Sequence, residues 1–210
     1  MTQIRHVFFD IGGVLGTNGW DREQRKVALA EFGLDEAEFQ PRHEEMVGPL
    51  EQGQIGLEEY LDFAVFHEPR RFSREEFRHF IFSQSRPFSE TVAIARAVAE
   101  GCKYWVMTMN NESEELNRHR IRSFGLDEFF DAFLSSCWLG LRKPARRFYD
   151  RALGISEARP PESVFVDDRM QNLAPAQALG MHTIHYQSAA QLAGELRALG
   201  VEFNLKDNPA

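Results

Sequence analysis

Only two cysteines, Cys102 and Cys137, occur in the 210 residues. They lie far apart and show no CxxC spacing, which argues against a disulfide scaffold and a cysteine-rich metal site. Cys102 follows Gly101 just ahead of an apolar run, so it is expected to be a small buried hydrophobe. No apolar run approaches the ~20 residues of a membrane span. The N-terminus has no basic stretch leading into a long apolar one, because its apolar run is broken at Asp10. A secretory signal is therefore not expected, and the sequence reads as soluble and cytoplasmic, with no membrane partner. A basic excess is missing as well: the formal net charge is −8, with both signs scattered along the chain. That argues against a nucleic-acid binder, which presents a basic face to phosphates. An anionic small molecule stays compatible, since a local group of cations or a metal reverses the field within one cleft.

What is present is an ordinary globular composition, 43% hydrophobic and 27% charged, enough for one sizeable core. Short apolar runs ending in polar residues recur at 6–11, 104–108, 133–136, 163–168 and 182–186. Each is short and rich in Val, Phe, Ile or Tyr, as buried strands are. Amphipathic stretches at 89–100, 112–123, 145–153 and 170–179 separate the later runs. That alternation predicts an α/β fold, a Rossmann-like parallel sheet covered by helices on both faces.

The interval between the first two strands breaks the rhythm. Roughly ninety residues separate Ile11 from Tyr104, far more than one crossover helix needs. Within it, "DREQRKVALAEFGL" carries Val27, Leu29, Ala30 and Phe32 before a terminating Gly33, as an amphipathic helix does. "GLEEYLDFAVF" and "SREEFRHFIF" follow the same period, the second with Ser73 as N-cap and Glu76 completing a capping box. Ser89 is a further N-cap candidate. The division is a small α-helical cap over 18–87, inserted after the first strand of a core formed by 1–17 and 88–210. Such a lobe overhangs the carboxyl ends of the strands, where open parallel sheets bind ligands.

The candidate chemistry gathers at those ends. Asp10 closes the first strand, Thr108 the second, and Asp167 and Asp168 the fourth, while Lys143 precedes Pro144 in "LGLRKPARRFY". Taken alone, Asp10 suits a cap, a metal ligand or a nucleophile. Thr108 suits a strand interior, and Lys143 a helix start. Adjacent acids are costlier and imply a cation between them.

In order, "VFFDIGGVL", "WVMT", "GLRKP" and "VFVDDRMQNLAPAQALG" resemble the four motifs of the haloacid dehalogenase (HAD) superfamily. The helical segment resembles the cap one subclass inserts after the first motif. The resemblance covers nearly the whole chain and is nearest to the phosphatase-like members with a DxGxV first motif, some of which dephosphorylate sugar 1-phosphates. It implies a Mg²⁺-dependent phosphatase acting on a small phosphorylated metabolite. Asp10 is then the nucleophile that forms an aspartyl-phosphate. The metal ligands are Asp10, the Gly12 backbone carbonyl and Asp167, hard oxygens suited to Mg²⁺. Thr108, Met109 and Lys143 hold the phosphoryl group. Asp168 orients water or Lys143, and Asn172 braces the acid loop. Arg142 either strengthens the positive field or pairs at the sheet rim. Trp20 and Trp138 either flank the cleft or pack in the core.

The sequence departs from the superfamily at two points. Most of its phosphatases carry Asp two residues after the nucleophile, and here that residue is Gly12. A general acid or base contributes about 10²–10⁴-fold in rate, and glycine keeps the carbonyl while losing the proton donor. Arg42, His43 and Glu45 of the cap are the replacements considered. In the second motif Met109 follows Thr108 where Asn is usual, which turns attention to Asn110 and Asn111. The alternatives are a non-catalytic phosphometabolite- or partner-binding protein, or dehalogenase- or phosphonatase-like chemistry. The last needs a cap lysine, and no Lys occurs between Lys26 and Lys103. No heptad or apolar stripe indicates an oligomeric state.

Overall fold

The computed structural model describes residues 3–205. Its frame is a five-stranded parallel sheet in the order β3-β2-β1-β4-β5. The strands are β1 (His6–Phe9), β2 (Trp105–Asn110), β3 (Ala132–Ser135), β4 (Ser163–Asp167) and β5 (His182–His185). β1 is central, with Phe9 level with Thr108 on one side and Val166 on the other. The strand order reverses beside β1, so the ends of β1 and β4 flank the crevice where such sheets take ligands.

Alternation along the strands divides the core. Val7, Phe9, Val106, Val164 and Val166 face one layer, which α5 (Ser89–Glu100) and α10 (Ala189–Ala198) cover. Phe8, Met107, Met109 and Phe165 face the other, beneath α8 (Arg146–Ile155) and α9 (Met170–Ala178). A period of two dictates this division. α6 (Glu114–Ser123) follows β2, and a single turn, α7 (Ser136–Leu139), follows β3. No helix among the described residues is long and apolar enough to cross a membrane.

Between β1 and α5 lie four helices: α1 (Arg22–Phe32), α2 (Glu36–Glu51), α3 (Leu57–Ala64) and α4 (Arg74–Ser83). They pack around their own apolar cluster, joined from the core by Leu116 of α6. Phe32 anchors it, with ring centroids 4.6 Å from Phe72 and 4.8 Å from Phe77. Full burial of a side chain of this size, as at Phe77, contributes about 1.5–3 kcal/mol. The capping box at Ser73 and Glu76 is formed. The lobe closes on α7 through Gly53 (φ 66°), where a Cβ would stand 2.1 Å from the Cys137 carbonyl oxygen, so only glycine fits there.

Several local expectations are corrected. α5 is capped by Phe88, and Ser89 is its first residue. α6 starts at Glu114, leaving Asn111 and Glu112 in a loop. Ala28 and Leu29 form the buried face of α1, while Val27 is exposed. Cys102 is exposed in the turn between α5 and β2, and Cys137 is buried.

Candidate active site

The apolar run of β1 ends because Asp10 turns its carboxylate out of the sheet into the crevice. Asp10 Oδ1 accepts the Ile11 N–H at 2.8 Å, and the Asp10 N–H reaches the Val166 carbonyl at 2.9 Å. Its Oδ2 lies 3.0 Å from Lys143 Nζ, which also donates to Asp167 Oδ2 at 2.6 Å. All three side chains are buried. Burial alone disfavours the Lys143 charge, but Asp10 and Asp167 outweigh it and hold the ammonium protonated. Asp10 is pushed upward by burial, with Lys143 pulling the other way and Asp167 adding to the push. The balance follows from placing several carboxylates around one ammonium in a low-dielectric site.

Asn172 holds Asp167 in place, its Nδ2 donating to Oδ1 at 3.0 Å and Oδ2 at 3.1 Å. The Arg169 N–H adds a further bond at 2.8 Å. Tyr149 OH donates to the Asn172 carbonyl at 2.6 Å, tying that brace to α8. Asp168 presses against the glycine turn: a Cβ at Gly13 (φ 74°) would lie 2.3 Å from its Oδ2. Its Oδ1 is buried with no hydrogen-bond partner, and burial together with Asp167 raises its carboxyl above the usual range.

Oxygens of Asp10, Asp167 and Asp168 all lie within 4.8 Å of one another. Three carboxylates face one ammonium, and one buried oxygen is orphaned. A hard divalent cation suits that donor set, because it prefers oxygen ligands and neutralises the remaining charge.

The second strand behaves differently from expectation. Thr108 lies inside β2, two residues short of its end, fully buried with its hydroxyl 3.4 Å from Asn110 Oδ1. Met109 packs in the apolar layer under α8 and α9. Neither side chain lines the cavity; Asn111 does. Asn111 clasps the backbone of Lys143, accepting its N–H and donating to its carbonyl, both at 2.9 Å. Asn110 instead joins a buried polar net with Asn117 and Ser135. A strand of pure Val, Met and Thr would have located its own end; the polar pair Asn110–Asn111 was the available signal.

Above these groups is a cavity of about 250 Å³, between the sheet and the helical lobe. Asp10, Gly12 and Lys143 lie on one side, and Trp20, Arg25, His43 and Glu51 on the other. Arg142 NH1 bridges to Glu51 Oε2 at 3.4 Å. Trp20 Nε1 and His43 Nδ1 both meet Tyr60 OH, at 3.0 and 2.8 Å. Of Arg42, His43 and Glu45, only His43 lines the cavity. Arg42 lies over the Phe63 ring, and Glu45 faces solvent. Trp138 is exposed under Arg118. Arg25, Glu51, Glu112, Arg120 and Arg169 line the cavity without having been singled out, because no linear spacing connects them.

A family model for haloacid dehalogenase-like hydrolases matches residues 4–180. The chain belongs to this family. A sesquiterpene phosphatase of Aspergillus oryzae is 27% identical over 208 residues, covering 94% of this chain and 97% of that protein. A D-ribitol-5-phosphate phosphatase of Bacteroides thetaiotaomicron is 22% identical, covering 93% and 98%. The chain spans only 36% of the bifunctional epoxide hydrolase 2 of Sus scrofa, at 26% identity. Among solved structures, a HAD family enzyme from Bacteroides thetaiotaomicron superposes with a TM-score of 0.76 at 20% identity, covering 89% of this chain and 95% of that one. Another structure of that enzyme, holding magnesium and inorganic phosphate, gives 0.70 at 21% identity, covering 88% and 94%. At these identities the likeness is one of fold.

Proposed function

We propose that this hydrolase is a Mg²⁺-dependent phosphomonoesterase for a small polar phosphorylated metabolite, a sugar or polyol phosphate, with Asp10 as nucleophile. The carrying observation is the cluster of buried Asp10, Lys143 and Asp167 with half-buried Asp168, of which Asp10 and Lys143 line the cavity. Two relatives are phosphatases over nearly their whole length, which supports the reaction class. Mg²⁺ would be held by Asp10, the Gly12 carbonyl and Asp167, with Asp168 beside them, and would supply charge neutralisation at the transferring phosphoryl group.

The protein's own residues do the rest. Asp10 attacks phosphorus and carries the phosphoryl group until water releases it. Lys143, positioned by Asn111, offsets the charge that spreads over the phosphoryl oxygens. Asn172 keeps Asp167 oriented. The lobe over 18–87 acts as a cap that limits water entry. The cavity is small, and its apolar lining is confined to Trp20, Val47 and Pro144. It offers no trough for an isoprenoid tail, so a compact hydroxylated substrate fits better than a terpenyl phosphate.

The test is a phosphate-release screen across sugar, polyol and prenyl phosphates, with and without EDTA. Turnover that needs Mg²⁺, favours the polar substrates and vanishes in Asp10→Asn is expected. Silence across the panel with phosphate binding retained would identify a binder instead, and activity indifferent to EDTA would point to dehalogenase-like chemistry.

A further inference from the structure

Gly12 leaves the usual proton carrier of this chemistry without a side chain, and the surrounding atoms show what occupies that space. A Cβ built on Gly12 would lie 3.0 Å from Asn18 Oδ1 and 3.6 Å from Arg120 NH1. The same Arg120 NH1 donates to Glu112 Oε2 at 3.1 Å. Glu112 is buried, lines the cavity with Asp10 and Gly12, and receives the Ser113 N–H on its other oxygen at 3.0 Å.

We propose that Glu112 is the proton carrier of this reaction, held by the same Arg120 that borders the position a Gly12 side chain would take. The inference rests on the phosphomonoesterase reading. In the first half-reaction Asp10 Oδ bonds to phosphorus as the bond from phosphorus to the substrate oxygen breaks. The electron pair stays on that oxygen, which takes the Glu112 proton and leaves as an alcohol. In the second, the Glu112 carboxylate takes a proton from water as its oxygen bonds to phosphorus. The bond from phosphorus to Asp10 breaks, its electron pair returns to the Asp10 carboxylate, and phosphate departs.

Glu112 is suited to both halves. Burial pushes its carboxyl up to about 7, against the pull of Arg120 and with a further push from Glu51 of the cap. A carrier near the working pH gives and takes a proton with comparable ease. The other titratable groups around it include Cys137 of α7, whose thiol burial raises, and, across the cavity, His43 and Arg25. Asp10, Lys143 and Arg169 line the same cavity from the sheet side, and Asp21 from the loop before α1. His43 is held down to about 4 by burial and Arg25, so it is neutral and a poor acid at neutral pH. Glu51 is already engaged by Arg142.

The experiment compares p-nitrophenyl phosphate, whose leaving group needs little protonation, with an alkyl phosphate such as glycerol 1-phosphate. Failure of the wild-type protein on both would overturn the phosphatase reading, which Asp10→Asn controls separately. For Glu112→Gln, the loss on the alkyl substrate is expected to exceed that on the aryl one by at least about tenfold, within the 10²–10⁴-fold span of acid–base catalysis. The limb of the pH–rate profile near neutrality should disappear with it. Adding Gly12→Asp to that variant should recover alkyl turnover selectively. Equal losses on both substrates, or none, would overturn the assignment. If Glu112→Gln does not fold, Gly12→Asp in the otherwise native chain decides. A wild-type rate that depends weakly on the leaving group, and that Gly12→Asp barely changes, supports Glu112. A steep dependence that Gly12→Asp flattens overturns it.

Discussion

Arg142 NH1 and Glu51 Oε2 stand 3.4 Å apart across the mouth of the cavity, one from the loop that carries Lys143 and the other from the last residue of α2. This pair joins the sheet to the helical lobe at the cavity that Asp10 also lines. Burial raises the Glu51 carboxyl, with Arg142 drawing it back.

Removing the arginine therefore tests the lobe's role in binding. Arg142 is partly exposed, and such pairs contribute about 0–1 kcal/mol to stability. Arg142→Ala should leave the melting temperature nearly unchanged while KM rises about tenfold, the equivalent of about 1.4 kcal/mol. Steady-state kinetics beside a thermal melt checks this. A large drop in melting temperature with KM intact would make the pair structural.

Lys143 is a different case, since its Nζ neutralises two buried carboxylates. Breaking a buried pair costs about 3–5 kcal/mol because the remaining charge is uncompensated. Lys143→Met should lose turnover and melt at a lower temperature. It should also gain more from Mg²⁺ in a thermal-shift titration than the wild type does, because a cation then has more charge to offset. An identical Mg²⁺ response in both proteins would contradict the cluster's proposed use.

Two residues of the second motif should separate cleanly. Thr108→Val removes a hydroxyl inside β2, so it should cost about 1 kcal/mol of stability and leave kcat within a few-fold. Asn111→Ala frees the backbone of Lys143, and a catalytic group displaced by about 1 Å loses about 10²-fold in rate. Measuring kcat for both variants checks the pair, and the reverse order of effects would restore Thr108 to the site.

His43 provides a pH test on stability. Burial and Arg25 hold its imidazole down to about 4, against a small opposing effect of Asp21, and Tyr60 OH bonds its Nδ1. The unfolded chain binds a proton near pH 6.5, before the folded one does. The folded state therefore loses stability as pH falls from 6.5 toward 4, by on the order of 3 kcal/mol from this residue. His43→Gln should flatten the melting curve over that interval relative to wild type, after both are compared at pH 7.5. Parallel curves would place the pH dependence elsewhere.

The alternation of strands and helices was legible because periods of two and 3.6 are written locally. β1, β4, α5 and the capping box at Ser73 all lie where the pattern put them. Exact ends were less legible. β2 runs past Thr108 because Met109 and Asn110 still pair with β3, and a hydrogen-bond ladder depends on the neighbouring strand. Cys102 was expected inside, yet it sits in a turn with φ 52°, a consequence of how α5 returns to the sheet.

The Asp10, Lys143, Asp167 and Asp168 group was visible in three of the four ordered motifs, since a parallel sheet brings its carboxyl ends to one rim whatever the intervening length. Gly12 was visible too, as an absence. What filled that absence was not. Glu112 and Arg120 face the cavity because a loop and a helix after β2 fold back under Thr17 and Gly19, and no spacing in the chain announces it. Sequence determined the order of the strands' chemistry through local pattern. Tertiary packing decided which side chains share one small, poorly solvated space, because that proximity is set by how distant segments pack against one another.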